Sequence, residues 1–341
     1  MKNYIQISLF FMMLPTLGSS QELDSVNLKD ISNWKIFDDS DEVMEPSNET
    51  GGVQAICVEN DSNYWVATGS MVHQVINGVW NFHDYNYPKT DSVAFNVTDI
   101  FKCPFNSHIW FSSRYYGFRM YDGERWHIIT NPALSNLTRV EFVREDKNSN
   151  VLIKGSSNRQ VFWYIFNLNT NEVSDCTEQL KDQRYCKVIL GKKGTFTTVN
   201  KKSILKYEKD EWVEYELPEG LTFEWNTVRR IAYHKKKLWI LEQPLSMNYT
   251  TLYEINKNKL TSYEDLPKDL QYVKTFEADN QGRLWFGTLY NGFFVFDQPD
   301  WVNINLDNAM VGDQGDYTFK VYNGKCWFGS AKGLYIYDTN K

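Results

Sequence analysis

A seven-bladed β-propeller, all-β with four strands to a blade, is the fold class that three observations predict. A tryptophan-centred segment recurs at near-constant spacing, the apolar runs inside each copy are short and aromatic or β-branched, and the last copy stops before its outer strand. The chain has 341 residues, 42% of them hydrophobic and 16% aromatic, so it can bury enough apolar surface to offset its ordering entropy, and disorder is excluded. An all-β unit can occupy this length as one domain.

The repeat comes first, because missing one misassigns the whole fold. Its clearest copies run from Gly282 to Asp297 (GRLWFGTLYNGFFVFD) and from Gly324 to Asp338 (GKCWFGSAKGLYIYD). Earlier copies begin at Ser107 (SHIWFSSRYYGFRMYD) and Ser62 (SNYWVATG), and weaker ones centre on Leu152, Phe196 and Trp239. Taking Trp65, Trp110, Leu152, Phe196, Trp239, Trp285 and Trp327 as anchors, successive copies lie 42 to 46 residues apart, which makes seven copies of one supersecondary unit.

Within a copy the pattern is that of strands. Leu284-Trp285-Phe286 and Phe293-Phe294-Val295-Phe296 are short runs bounded by Gly, Asn and Asp. Their apolar residues are consecutive rather than alternating, so both faces of the sheet must be covered, as they are when one blade lies between two others. Asn77-Gly78 and Asp122-Gly123 read as tight hairpin turns. No window carries a helical period. Four strands per copy at this period describe propeller blades.

The outer strand of a copy is marked by a second Trp, 15 or 16 residues after the anchor, at Trp80, Trp126, Trp212 and Trp301. For the last copy that position falls beyond Lys341, whereas Trp34-Lys35-Ile36-Phe37 stands upstream of the first copy without a blade of its own. The N-terminal strand is therefore expected to complete the last blade, leaving no half-finished sheet edge to aggregate. These recurring tryptophans are expected to pack rather than to bind.

Met1 to Ser20 has one Lys, an apolar run from Ile5 to Leu17, and small residues at its end, the order of a secretory signal peptide. The expected organisation is a signal peptide at 1–20, a short lead at 21–30 and the propeller at 31–341. No later stretch is long and apolar enough to span a bilayer, so the mature chain is expected without a membrane span, in the periplasm or secreted. With 43 acidic against 36 basic side chains the net charge is −7, and no Lys/Arg-rich stripe offers a footprint for nucleic acid. Five cysteines, Cys57, Cys103, Cys176, Cys186 and Cys326, show no metal-ligand spacing. Cys176 and Cys186 are close enough in sequence to bridge in an oxidising compartment, and five small core thiols are the alternative.

The pattern Gly-x-x-Trp-[Phe/Val]-[Gly/Ala]-[Thr/Ser]-x-x-Gly-[Leu/Phe]-x-x-[Tyr/Phe]-Asp, carried best at Gly282 to Asp297 and Gly324 to Asp338, resembles the two-component regulator propeller repeat of secreted and periplasmic bacterial proteins. The resemblance implies a β-propeller over nearly all of residues 24 to 341. It also implies recognition on a propeller face, since propellers of that family serve as ligand-sensing ectodomains, many of them for glycan fragments. The repeat's Trp, Gly and Asp positions are structural there, so no catalytic residue carries over.

Nothing in the residues themselves marks a catalytic centre. His73, His83, His108, His127 and His234 form no triad or ligand motif, and no phosphate loop, HExxH or GxSxG occurs. The acidic run from Asp38 to Glu42 lacks the Gly and the spacing of a calcium loop. No catalytic residue, metal or cofactor is assigned. Propeller geometry gathers at one funnel mouth the connections between second and third strands and those from an outer strand to the next inner strand. Arg114, Tyr115, Tyr116, Trp225, Arg229, Tyr290 and Lys332 are the expected ligand-binding residues there, with Arg230, Lys274 and Asn291 nearby. Aromatic faces with Arg and Asn around a concavity suit a polar, planar-faced ligand. The expected partner is a polar small molecule or oligosaccharide, or a protein. The alternative is a propeller lyase or hydrolase, which needs a His and a carboxylate converging in the funnel.

Overall fold

The structure, a computed structural model, describes residues 34–38, 52–68, 71–83, 97–114, 117–181, 187–191, 194–223, 227–234, 236–244, 250–257, 259–304, 317–330 and 333–338. Its first strand is β1 (Trp34–Asp38). Sheet one is β2 (Val53–Asn60), β3 (Asn63–Thr68), β4 (Met71–Ile76) and β5 (Val79–His83); sheet two is β6 (Val97–Lys102), β7 (Ile109–Ser113), β8 (Phe118–Tyr121) and β9 (Trp126–Ile128). Sheet three is β10 (Arg139–Glu145), β11 (Asn150–Ser157), β12 (Gln160–Asn167) and β13 (Val173–Asp175); sheet four is β14 (Ile189–Leu190), β15 (Phe196–Val199), β16 (Ser203–Glu208) and β17 (Glu211–Glu216). Sheet five is β18 (Thr227–His234), β19 (Lys237–Pro244), β20 (Thr251–Asn256) and β21 (Lys259–Tyr263), and sheet six is β22 (Val273–Ala278), β23 (Leu284–Thr288), β24 (Phe293–Asp297) and β25 (Asp300–Ile304). Sheet seven has β26 (Tyr317–Tyr322), β27 (Lys325–Ser330) and β28 (Gly333–Asp338).

Sheets one to six are four-stranded meanders whose strands pair antiparallel in chain order. In sheet seven the fourth position is taken by β1, antiparallel to β28, with Trp34 opposite Tyr337 and Asp38 opposite Gly333. A 3-10 turn at Pro132–Leu134 is capped by the Asn131 side chain.

Second strands are buried along their length, as their unbroken apolar runs require: every residue of β7 and of β23 is buried. Outer strands such as β5 and β17 are mostly exposed or half-buried. Asn77-Gly78 has φ of 53° and 82°, the pair of positive values that a two-residue hairpin turn demands. Asp122-Gly123 differs, since only Gly123 is left-handed. There the Asp122 carboxylate accepts the amides of Glu124 and Arg125 and builds a longer turn.

The sheets fall into two compact units: Glu45–Trp225, holding sheets one to four, and Asn226–Lys341 together with Met1–Met44, holding sheets five to seven. In each unit the core lies between consecutive sheets. Trp65 and Ala67 of sheet one pack on Ile100 and Phe111 of sheet two, while Trp110 and Phe118 of sheet two pack on Val143 and Ile153 of sheet three. Leu152 and Trp163 meet Phe196 and Leu205 across sheets three and four. In the other unit Trp239 and Leu252 face Phe276 and Phe286, and Trp285 and Phe293 face Phe319 and Phe328.

Ion pairs one repeat apart reinforce these contacts. Lys102 pairs with Glu59 at 2.9 Å, Arg144 with Asp99, and Lys320 with Glu277 at 2.6 Å, each time a base on one inner strand against an acid on the preceding one. The inner strands also share a bulge near their start, in sheets one, two, three and six. An extra residue there turns the entering chain and re-aims the side chain it carries.

Candidate functional site

Each sheet has two kinds of end. One carries the link between its second and third strands and the segment entering its inner strand; the other carries its two hairpin turns, first to second strand and third to fourth. Of the seven residues expected at the first kind of end, Tyr115, Tyr116, Trp225 and Lys332 lie outside the described residues. Arg114 is exposed at the end of β7. Arg229 is not a loop residue: it sits within β18, opposite Glu242 of β19, and is only 4% exposed. Arg230 is likewise in β18, where its Nε donates to the Lys274 carbonyl at 2.9 Å, and Lys274 is the extra, exposed residue of the bulge in β22. Expected in the connections from an outer to the next inner strand, these residues lie instead within the inner strands, which begin at Thr227 and Val273.

Tyr290 is where the expectation leads furthest. It stands at the tip of the β23–β24 link, 71% exposed, and its ring meets that of Tyr272 at 5.7 Å and 81°, edge to face. Tyr272, 46% exposed, immediately precedes β22. Two loops thus supply one aromatic corner, and a lattice of hydrogen bonds fixes it. Leu289 N donates to the Tyr272 carbonyl at 3.0 Å, and Asn291 Nδ2 to the Asp269 carbonyl at 2.7 Å. Asn291 N in turn donates to Thr288 Oγ1, whose hydroxyl donates to the Gly292 carbonyl. Gln271 Nε2 bonds the Lys268 carbonyl, and buried Leu270 anchors the approach to Tyr272.

Tyr272 has φ of 50°, a conformation that a bulky side chain adopts at a cost. At the matching place in sheet one, just before β2, stands Gly52 with φ of 125°. Sheet three does without it, since neither Thr138 nor Arg139 at the start of β10 has a positive φ, so the left-handed turn at Tyr272 is not a demand of the repeat. Sequence reasoning missed Tyr272, which no position of the repeat pattern marks.

The same kind of end on sheets two and three bears a recess of about 450 Å³, lined by Phe118, Ile128, Ile129, Leu134, Leu137 and Val140, with Thr130, Asn131 and Ser135 among its polar residues. Its lining is largely apolar.

The convergent His and carboxylate groups lie at the other kind of end. Glu145, at the close of β10 and fully buried, accepts Trp110 Nε1 at 2.7 Å, Asn106 Nδ2 at 2.8 Å and His108 Nδ1 at 2.9 Å, all from sheet two. Its neighbour Asp146 is pushed up by burial, against the bonds it accepts from Asn150 and Asn148. Cys103, whose Sγ points to the Glu145 carbonyl, is pushed up to about 11 by burial. At the β8–β9 turn His127 Nε2 and Asp122 are 2.5 Å apart, and that hydrogen bond, with the turn amides, holds the Asp122 carboxyl well below the usual range. His73 is packed on Trp80 and Phe82, and His83 on Trp65; burial lowers both pKa values. Among the described residues no three His, Cys, Asp or Glu side chains come together to hold a metal ion, and no helix is long and apolar enough to cross a membrane. Cys176 is a free thiol bonded to the Trp163 carbonyl, not half of a bridge; Cys186 lies outside the described residues.

No protein-family model matches the chain, and no curated protein matches it in sequence. Solved structures do. The extracellular domain assigned to the hybrid two-component system BT3049 of B. thetaiotaomicron aligns over 90% of this chain and 41% of its own, with 17% identity and a TM-score of 0.61. Virginiamycin B lyase from Staphylococcus aureus aligns over 89% of this chain and 98% of its own, at 11% identity and 0.58. The Dos1 propeller aligns over 91% of this chain and 84% of its own, at 10% identity and 0.53. The chain thus spans about two fifths of the sensor ectodomain and nearly the whole of the lyase. Its structural neighbours include both extracellular sensor domains and a propeller enzyme. At these identities the likeness speaks for the fold, and with seven four-stranded antiparallel sheets the chain is an all-β, seven-bladed β-propeller.

Proposed function

We propose that this chain is an exported, non-catalytic recognition module, akin to the sensor propellers of two-component regulators, that binds a polar ligand or a protein partner through the links between second and third strands and the segments entering the inner strands. An oligosaccharide is the small ligand that such aromatic and amide groups suit. One observation carries the reading: Tyr272 and Tyr290 are held in water by a braced loop pair, at the end of the sheet where connections are free to vary. Export rests on the Met1–Ser20 segment, which lies outside the described residues.

The rival reading is a lyase or hydrolase, supported by the likeness to virginiamycin B lyase. It requires an acid–base pair at the ligand-binding end. The described His–carboxylate pairs, His108 with Glu145 and His127 with Asp122, lie at the hairpin-turn end instead, and the Glu145 carboxylate is occupied by three donors. Calorimetry of the full chain against oligosaccharide and peptide panels, with product analysis of every mixture, tests the proposal. Binding without turnover supports it; turnover, or silence across both panels, overturns it.

A further inference from the structure

We infer that the Tyr272–Tyr290 corner of sheet six is a stacking subsite for one neutral pyranose ring. The inference rests on the recognition reading above and gives it a place and a ligand class. Tyr272 and Tyr290 place two large rings side by side in water, and Tyr272 does so from a left-handed backbone, at φ of 50°, that a tyrosine adopts at a cost. Glycine accepts such a backbone without that cost. What tyrosine adds there is a ring, set at 81° to a second ring that is still more exposed.

The surroundings favour a sugar over an apolar guest. A pyranose has a face of C–H groups that lies on an aromatic ring and a rim of hydroxyls that need directional partners. Beside the rings stand the amides of Asn291 and Gln271, each held to a backbone carbonyl, and the exposed side chains of Asp269 and Lys274, of opposite charge. Fixed amides lose little freedom on binding. The exposed charges of this loop are of both signs, Glu264, Asp265 and Asp269 against Lys268 and Lys274, and the whole chain at −7 repels anions, so a neutral ring is preferred to an acidic one.

The experiment is calorimetry of the full chain with cellohexaose, xylohexaose, mannohexaose and laminarihexaose, repeated on Tyr290→Ala, Tyr290→Phe and Tyr272→Gly, with thermal melts of each. Wild type is expected to bind at least one hexasaccharide. Tyr290→Ala should weaken that binding tenfold or more, and Tyr290→Phe, which keeps the ring, should stay within threefold. Tyr272→Gly should also weaken it about tenfold while its melting temperature is equal to or above wild type, because glycine accepts the left-handed backbone; that separates loss of a contact from loss of the fold. Unchanged binding by Tyr290→Ala and Tyr272→Gly overturns the subsite and leaves the recognition reading standing. No binding of any hexasaccharide by wild type overturns the sugar assignment, and the peptide panel then decides the recognition reading separately.

Discussion

Replacing Glu145 tests how one sheet is fastened to the next. Its carboxylate, at the end of β10, is fully buried and accepts three donors from sheet two: Trp110 Nε1, Asn106 Nδ2 and His108 Nδ1. In Glu145→Ala the Trp110 N–H, on a side chain of 0% exposure, has no water to turn to, and an orphaned buried donor costs roughly 1–3 kcal/mol. Asn106 is exposed and His108 is 25% exposed on its side chain, so both regain water and add little. The lost methylenes leave a void worth about 1 kcal/mol more. The expected loss is therefore about 3 kcal/mol. Glu145→Gln keeps one acceptor oxygen for Trp110 and turns an NH₂ toward His108, whose neutral ring can accept it; the expected loss is about 1–2 kcal/mol. Urea unfolding followed by tryptophan fluorescence reads both, with the slope unchanged and the midpoint lowered in the order wild type, Gln, Ala. A Glu145→Ala loss under about 0.5 kcal/mol, or a Gln variant weaker than Ala, would refute the donor-by-donor reasoning.

Three further outcomes are expected. In Gly287→Ala the new methyl would come 2.5 Å from the Phe319 ring of sheet seven and closer still to the Thr275 hydroxyl, and overpacking of this kind costs roughly 1–3 kcal/mol in the same unfolding assay; an unchanged midpoint would show that the sheets can move apart freely. Asp279 is pushed up by burial, but the bonds it accepts from Trp285 Nε1 and Arg283 outweigh this and hold its pKa below 3.8. Its stabilisation is therefore complete above the unfolded pKa and lost as pH falls through the folded one. The gap between wild type and Asp279→Asn should be constant from pH 5 to 7 and close below about pH 4; a gap that widens on acidification contradicts the sign. Cys57, Cys103, Cys176 and Cys326 are buried, and burial raises the last three, Cys176 to about 12, so at pH 8 these four should react with a thiol reagent only after unfolding, as peptide mass mapping would show.

The blade count, the strand pattern and the Asn77-Gly78 turn could be read from the chain because each is local: a turn needs two residues, and a strand five. The Trp anchors were legible for the same reason, and Trp65, Trp110, Trp285 and Trp327 are all fully buried. What escaped is set by pairs of segments. Glu145 meets donors 35 to 39 residues away in the preceding sheet, and no periodicity marks it, because the Trp110 partner falls to Glu145 where sheets one and six use an acid six residues before their own Trp, Glu59 and Asp279. Tyr272 escaped because its left-handed φ opposes what tyrosine prefers, and its ring partner Tyr290 lies on another loop. Arg229 was misplaced by two or three residues of strand end, the least certain feature of any strand reading, and that shift moved it from a loop to a buried ladder position.

Amide hydrogen exchange of the full chain, with and without each hexasaccharide at millimolar concentration, tests the central claim most directly. Recognition by the connecting loops predicts that one sugar slows exchange in residues 266–274 and 288–292. Slowing confined instead to the hairpins around His108 and Glu145, with the Tyr272 and Tyr290 segments unchanged, would place the ligand at the wrong end of the sheets and contradict the account.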